Sequence, residues 1–229
     1  MAEAQLSRGA LLKVVLSRYI MAFLALAAMF FIPAGTLAYW NAWLYLGIIL
    51  IPMGFVMLYL IKYDPELLER RMRFRERQGT QKRVIGFSWI IFLLAFLIPG
   101  FDYRFGWSEV PVWVVLLAAV LVLLGYAMIF WVFRENSYAS RVVEVMEGQR
   151  VIDSGPYAIV RHPMYIGSTV FYAFSPLVLG SWWAMIPALL IIPMLVARIR
   201  NEEAVLVKDL PGYAEYRQKV RFRMVPGVW

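Results

Sequence analysis

Three short stretches carry side chains that could act together. The first, GPYAIVRHPMYIG over 155–167, holds the chain's one histidine, His162, between Arg161 and Pro163. The second is Arg198-Ile-Arg-Asn-Glu202-Glu203, in which Arg198 and Glu202 are four residues apart and share a helix face. The third, PGYAEY over 211–216, carries Tyr213 and Tyr216. Cysteine is absent, which excludes disulfides, thiolate nucleophiles and cysteine metal sites. A single histidine excludes a His-rich metal centre and argues against a catalytic triad. Carboxylate, guanidinium and aromatic chemistry remains.

Each stretch alone also has a purely structural reading. Pro163 suits the first turn of a helix, where its missing N–H costs nothing, with Arg161 snorkelling to an interface. Gly155-Pro156 reads as a turn. Arg198 and Glu202 would make an intrahelical ion pair at a solvated helix end. Tyr213 and Tyr216 would be interfacial belt aromatics, or the walls of a pocket. However, charges where a membrane segment leaves the bilayer commonly line a cavity or a site.

These residues must be positioned by membrane helices. The chain is 62% hydrophobic and only 17% charged, against about half and a quarter for a soluble domain. Its mean hydropathy is +0.66. Apolar runs predict segments near Ser17–Leu37, Tyr39–Ile61, Val84–Phe101 and Pro111–Phe133, each close to the ~20 residues that cross the hydrocarbon. The first lacks a cleavage-site pattern and reads as a retained span. The block Met164–Ile199 is short for two full spans, and Ser175, Pro176 and Gly180-Ser181 suggest a tight hairpin. The expectation is an all-α polytopic protein with about six membrane segments.

Charge sets the orientation. With the N-terminus inside, segments 1–18, 62–83, 134–163 and 197–229 carry 3, 8, 4 and 7 Lys/Arg, or 22 of 23, leaving only Arg104 outside. Both termini are then cytoplasmic, and the isoelectric point of about 9.8 reflects facing anionic lipid headgroups rather than nucleic acid. The basic stretch 62–83 reads as a surface helix at the headgroups. Residues 1–133 form the N-terminal helices. Residues 134–229 form the core that carries chemistry: two polar segments flanking the hairpin on one membrane face.

Taken jointly, GPYAIVRHPMYIG, about 35 residues of hairpin, R-x-x-x-EE, and L-x-x-x-x-P-G-Y-x-x-Y resemble the isoprenylcysteine carboxyl methyltransferase family and the related phospholipid N-methyltransferases. The likeness covers about residues 134–226. It implies an integral membrane enzyme that uses S-adenosylmethionine and releases S-adenosylhomocysteine. Carried over, Gln149, Arg150, Val151 and Ile152 border the cofactor, and Tyr157, His162, Pro163, Met164 and Tyr165 help enclose it. Glu202 accepts hydrogen bonds from its polar part. Arg198 matches the arginine that holds the substrate near its carboxylate, and Glu203 matches the second acid, a candidate catalytic residue. A cofactor-contacting glutamine of the family falls near Val142, so this loop departs from the pattern.

The chemistry suits these residue types. A carboxylate suits the cofactor's ammonium, and aromatic faces suit cationic groups. In-line methyl transfer to a carboxylate or thiolate needs no strong base, so alignment and exclusion of water supply most of the rate. The leading acceptor is a lipophilic carboxylate of the isoprenylcysteine type, on a small molecule or a prenylated protein, drawn from the surrounding membrane lipid. A phospholipid amine and a small thiol are the alternatives. From another class, a transporter or assembly subunit remains, but the first four spans hold almost none of the ionisable residues that transport paths require.

Overall fold

The computed structural model describes residues 8–72, 79–140 and 142–229, and among these it is helical with no strand. Helices α1 (Arg8–Ala34), α2 (Trp40–Tyr63), α4 (Gly79–Phe105) and α5 (Val112–Glu135) are long, while α3 (Pro65–Met72) is a short amphipathic helix after α2. Then follow an irregular connection with one 3₁₀ turn (Gly155–Ala158), α6 (Pro163–Val178), α7 (Met185–Leu189), α8 (Ile191–Asp209) and α9 (Tyr213–Lys219).

Among the described residues, three helical stretches are long and apolar enough to cross a membrane: Gly9–Ala34, Trp40–Tyr63 and Val112–Glu135. Their outward faces carry Leu24, Ile51, Phe55, Trp113, Leu116 and Leu124, all more than half exposed. So continuous an apolar surface is stable only against lipid. The expected hairpin forms with unequal limbs. Helix α6 has 16 residues, about 24 Å at 1.5 Å per residue, which is shorter than the ~30 Å hydrocarbon layer. The returning limb breaks at Leu190, between α7 and α8.

Helices α5 and α6 touch backbone to backbone. A Cβ on Gly167 would lie 2.6 Å from the Gly125 carbonyl oxygen, and one on Gly125 would lie 2.8 Å from that of Gly167. Without a strong hydrophobic drive between helices in lipid, close approach supplies the association through van der Waals contact. Gly167→Ala should therefore force the helices apart and cost about 1–3 kcal/mol. Thermal unfolding of the purified protein should show a lower melting temperature, by roughly 2–4 °C per kcal/mol for a chain of this size. An unchanged midpoint would remove the argument.

Two core clusters follow the bundle. One gathers Phe30, Tyr39, Tyr45, Phe96, Val122 and Val178, and the other gathers Leu11, Leu60, Leu67, Val132, Phe133 and Ala139. At the end near the first cluster, polar bonds fasten the α6–α7 turn. Tyr39 donates to the Leu179 carbonyl, and Asn41 donates to that of Val178 at 3.0 Å. Asp102, just past the expected segment Val84–Phe101, is in the last turns of α4 and 1% exposed. It accepts from the Ser108 amide at 2.8 Å and from the hydroxyls of Ser108 and Ser181. Of the basic stretch 62–83, residues 73–78 lie outside the described residues, and α3 buries Leu67 and Leu68 in the second cluster.

Candidate functional site

At the other end of the bundle, the connection after α5, the start of α6, the polar half of α8 and α9 enclose one cleft. It holds about 900 Å³ of space, part of it open to the outside.

The wall around 155–165 is built from proline and aromatic residues. Gly155 turns the chain at φ +54°, and a Cβ there would lie 2.7 Å from the Glu135 side chain. Pro163 occupies the first turn of α6, as the sequence suggested. Asn136 donates to the Tyr157 hydroxyl at 2.9 Å, and the Tyr216 hydroxyl donates to the Tyr157 carbonyl at 2.8 Å. Burial pushes the phenols of Tyr157, Tyr213 and Tyr216 well up. They stay neutral near pH 7 and act as hydroxyl donors and acceptors, not as bases.

Behind this wall lies a buried ion network. Arg161 Nε donates to Glu203 Oε1 at 2.7 Å, and its Nη1 donates to the carbonyls of Val220 and Arg221. His162 Nε2 stands 3.3 Å from the same carboxylate oxygen, and Arg223 Nε donates to Oε2 at 2.8 Å. The amides of Arg161 and His162 donate to the carbonyls of Phe222 and Arg223. Burial opposes the charge on Glu203, but hydrogen bonds from His162, Arg223 and Arg161 outweigh it and hold the carboxyl down at about 2.

Facing the cleft is a second polar group. Arg198 Nε donates to the Tyr165 hydroxyl at 2.9 Å, and that hydroxyl donates to Glu202 Oε2 at 2.5 Å. Tyr165 thus stands between the arginine and the acid that the sequence alone paired directly. A short bond from a neutral donor to a carboxylate is a strong one, and it fixes the Glu202 rotamer.

Gln149, Arg150, Val151 and Ile152 line the cleft, as do Tyr157, His162, Pro163, Met164 and Tyr165. Arg198 and Glu202 join them from α8. Gln149 also spends its side-chain oxygen on the Met146 amide, closing the turn before it. Glu203 differs from the expectation. It is 4% exposed, does not line the cleft, and has both oxygens committed to Arg161, His162 and Arg223. Adjacent helix positions point about 100° apart, so the two acids serve different faces.

Sequence reasoning missed Asn136, Tyr138 and Ser140, and it favoured an interfacial role for Tyr213 and Tyr216. Both tyrosines are buried and line the cleft, packed against one another 5.6 Å apart. The L-x-x-x-x-P-G-Y-x-x-Y spacing was the available signal, since a turn of α9 places its two tyrosines on one face.

The donor set fits S-adenosylmethionine. Glu202 offers a carboxylate for an ammonium, the tyrosine rings offer faces for cationic groups, and Val151, Ile152, Val205 and Leu206 offer apolar walls. The Tyr213 hydroxyl is buried with no hydrogen-bond partner among the described residues. A buried, unsatisfied hydroxyl costs about 1–3 kcal/mol, so a polar ligand atom at this wall would relieve it. No group of acids and histidines among the described residues could hold a metal ion.

Residues 113–211 of this chain of 229 match the phospholipid methyltransferase family. The matched stretch runs from α5 to the turn before α9 and includes most of the cleft. No curated protein matches the chain.

Proposed function

We propose that this protein is an integral membrane methyltransferase that uses S-adenosylmethionine and acts on a lipophilic acceptor. One observation carries the reading: the cleft at the end of the apolar bundle, with Glu202, Tyr165 and Arg198 on its wall, coincides with the phospholipid methyltransferase match. The proposal includes six membrane segments, with both termini and the cleft on the cytoplasmic side, supported by the 22 of 23 Lys/Arg that this topology places inside.

When bound, the cofactor supplies an electrophilic methyl group on a sulfonium. The chain's own residues bind, orient and exclude water. Glu202, held by Tyr165, takes the ammonium end; Tyr157, Tyr213 and Tyr216 close the wall; Val151, Ile152 and Leu206 keep water away. Arg198 holds the acceptor's anionic group beside the cleft. Glu203 acts only through Arg161 and His162, since both its oxygens are engaged behind the wall.

An arginine here suits an isoprenylcysteine carboxylate, and it equally suits a phospholipid phosphodiester next to a reacting amine. The family match supports the phospholipid amine. The test is transfer of labelled methyl from S-adenosylmethionine to lipid extracts and to prenylcysteine analogues, using protein in nanodiscs. With a phospholipid amine as acceptor, the rate should climb about tenfold per pH unit below the amine's pKa. With a carboxylate it should be flat above about pH 5. No labelled product from either class would overturn the reading.

A further inference from the structure

The cleft wall at 136–140 is held by a helix outside the matched region. We infer that Arg70 and Arg71 of α3 are positioning residues for the cofactor cleft, clamping that wall from the N-terminal half of the chain. The consequence for ligand binding rests on the function proposed above; the clamp itself does not.

Arg70 Nη2 donates to the Ser137 carbonyl at 2.7 Å, and Arg71 Nη1 donates to the Ala139 carbonyl at 2.8 Å. The Arg71 guanidinium also lies 4.3 Å from the Phe133 ring centroid, at the end of α5 where the wall begins. Asn136, Tyr138, Ala139 and Ser140 all line the cleft, so the two held carbonyls belong to lining residues or their neighbours. The clamped stretch has no helix or strand of its own. Its internal bonds are short-range: Tyr138 and Ala139 amides to Asn136, and the Ser140 amide to the Tyr138 carbonyl. Such a segment needs external fixing to hold one conformation.

The helix bearing the clamp is itself fastened at three places. Asp64 Oδ1 accepts from the Leu67 amide at 2.9 Å and caps its start. Leu67 and Leu68 are buried in the second core cluster, with Val132, Phe133 and Ala139. Arg18 of α1 donates to the Met72 carbonyl at 2.8 Å and satisfies an end group of the helix. A rigid mount on one side and a weakly self-supported wall on the other are joined by the two guanidinium groups, which fix the carbonyls, and by the packing of Leu67 and Leu68 with Ala139. Phe133 and Asn136 lie on the α5 end, which then carries the fix on to Tyr157.

The test compares wild type with Arg70→Met/Arg71→Met, which keeps the aliphatic stems and removes the forks. Hydrogen exchange without ligand should be faster at the amides of residues 138–140 in the variant and unchanged in α6. Affinity for S-adenosylhomocysteine, measured by calorimetry in nanodiscs, should fall roughly tenfold, as for losing charge-assisted bonds to carbonyls. Arg71→Lys, which keeps a donor, should recover part of both. Val122→Ala, in the other core cluster, controls for general destabilisation: it should lower the melting temperature without changing the exchange of 138–140. Wild-type exchange in the double variant would overturn the clamp. So would faster exchange that Val122→Ala reproduces at an equal loss of melting temperature. If exchange quickens but wild-type protein binds no S-adenosylhomocysteine, the clamp stands and the proposed function fails.

Discussion

Glu203→Ala should unfold the cleft end of the protein, whereas Glu202→Ala, one position earlier, should leave the fold standing. Glu203 is the sole acid among the described partners of Arg161, and both side chains are about 5% exposed. Removing the carboxylate leaves a buried guanidinium with only the Val220 and Arg221 carbonyls, and it releases Arg223. Breaking a buried ion pair from one side costs about 3–5 kcal/mol, because the remaining charge is uncompensated. At roughly 2–4 °C per kcal/mol, the melting temperature should drop by about 6–20 °C. A drop of only a degree or two would mean that the network carries little of the stability.

The same carboxyl sets an acid limit. Its folded value of about 2 lies below the ordinary glutamate value of about 4.3. Its contribution is therefore complete above about pH 4.3 and is lost as the pH falls from there through about 2. The melting-temperature gap between wild type and Glu203→Ala should be widest near neutrality and narrow across that window. A gap independent of pH would show that packing, not charge, makes the difference.

Glu202→Ala should abolish most cofactor binding while shifting the melting temperature little. Glu202 is only partly buried, lines the cleft, and its described partner is the Tyr165 hydroxyl. Losing one member of a hydrogen-bonded charge pair costs about 2–5 kcal/mol, and partial exposure favours the lower end, near thirtyfold in affinity. Calorimetric titration with S-adenosylhomocysteine measures this directly. Tyr165→Phe separates two routes. If Glu202 binds the ligand itself, Tyr165→Phe should weaken binding by only severalfold. If Glu202 serves merely to orient Tyr165, the two variants should weaken binding equally. Wild-type affinity in Glu202→Ala would remove this acid from the site.

Both acids sit in the same Glu-Glu pair, and the pair shows how far the sequence reaches. Spacing on a helix is local, so Arg198 and Glu202 were legible as one face, while Glu203 was read as part of the same site. Neither spacing nor composition says which face meets the cleft. That depended on Arg161, 42 residues away, and on Arg223, 20 residues onward in the C-terminal segment. Likewise the GPY and RHP stretches read as a turn and a helix start, because proline and glycine restrict the backbone wherever they stand. That Tyr213 and Tyr216 leave the interface to wall the cleft was settled by the packing of α9 against Val151 and Leu206.

The amino-acid sequence by itself determined the helical class, the apolar stretches, the charge asymmetry and the residues from which a cleft could be made. Those properties follow from composition and from periods of a few residues, which act before the chain packs. The tertiary structure alone decided that Asp102 is buried under two serines, that Glu203 is a buried anchor and that arginines of α3 reach carbonyls 67 and 68 residues along the chain. These are long-range pairings of charged and polar groups, and they form only where helix packing brings the partners together and removes their water.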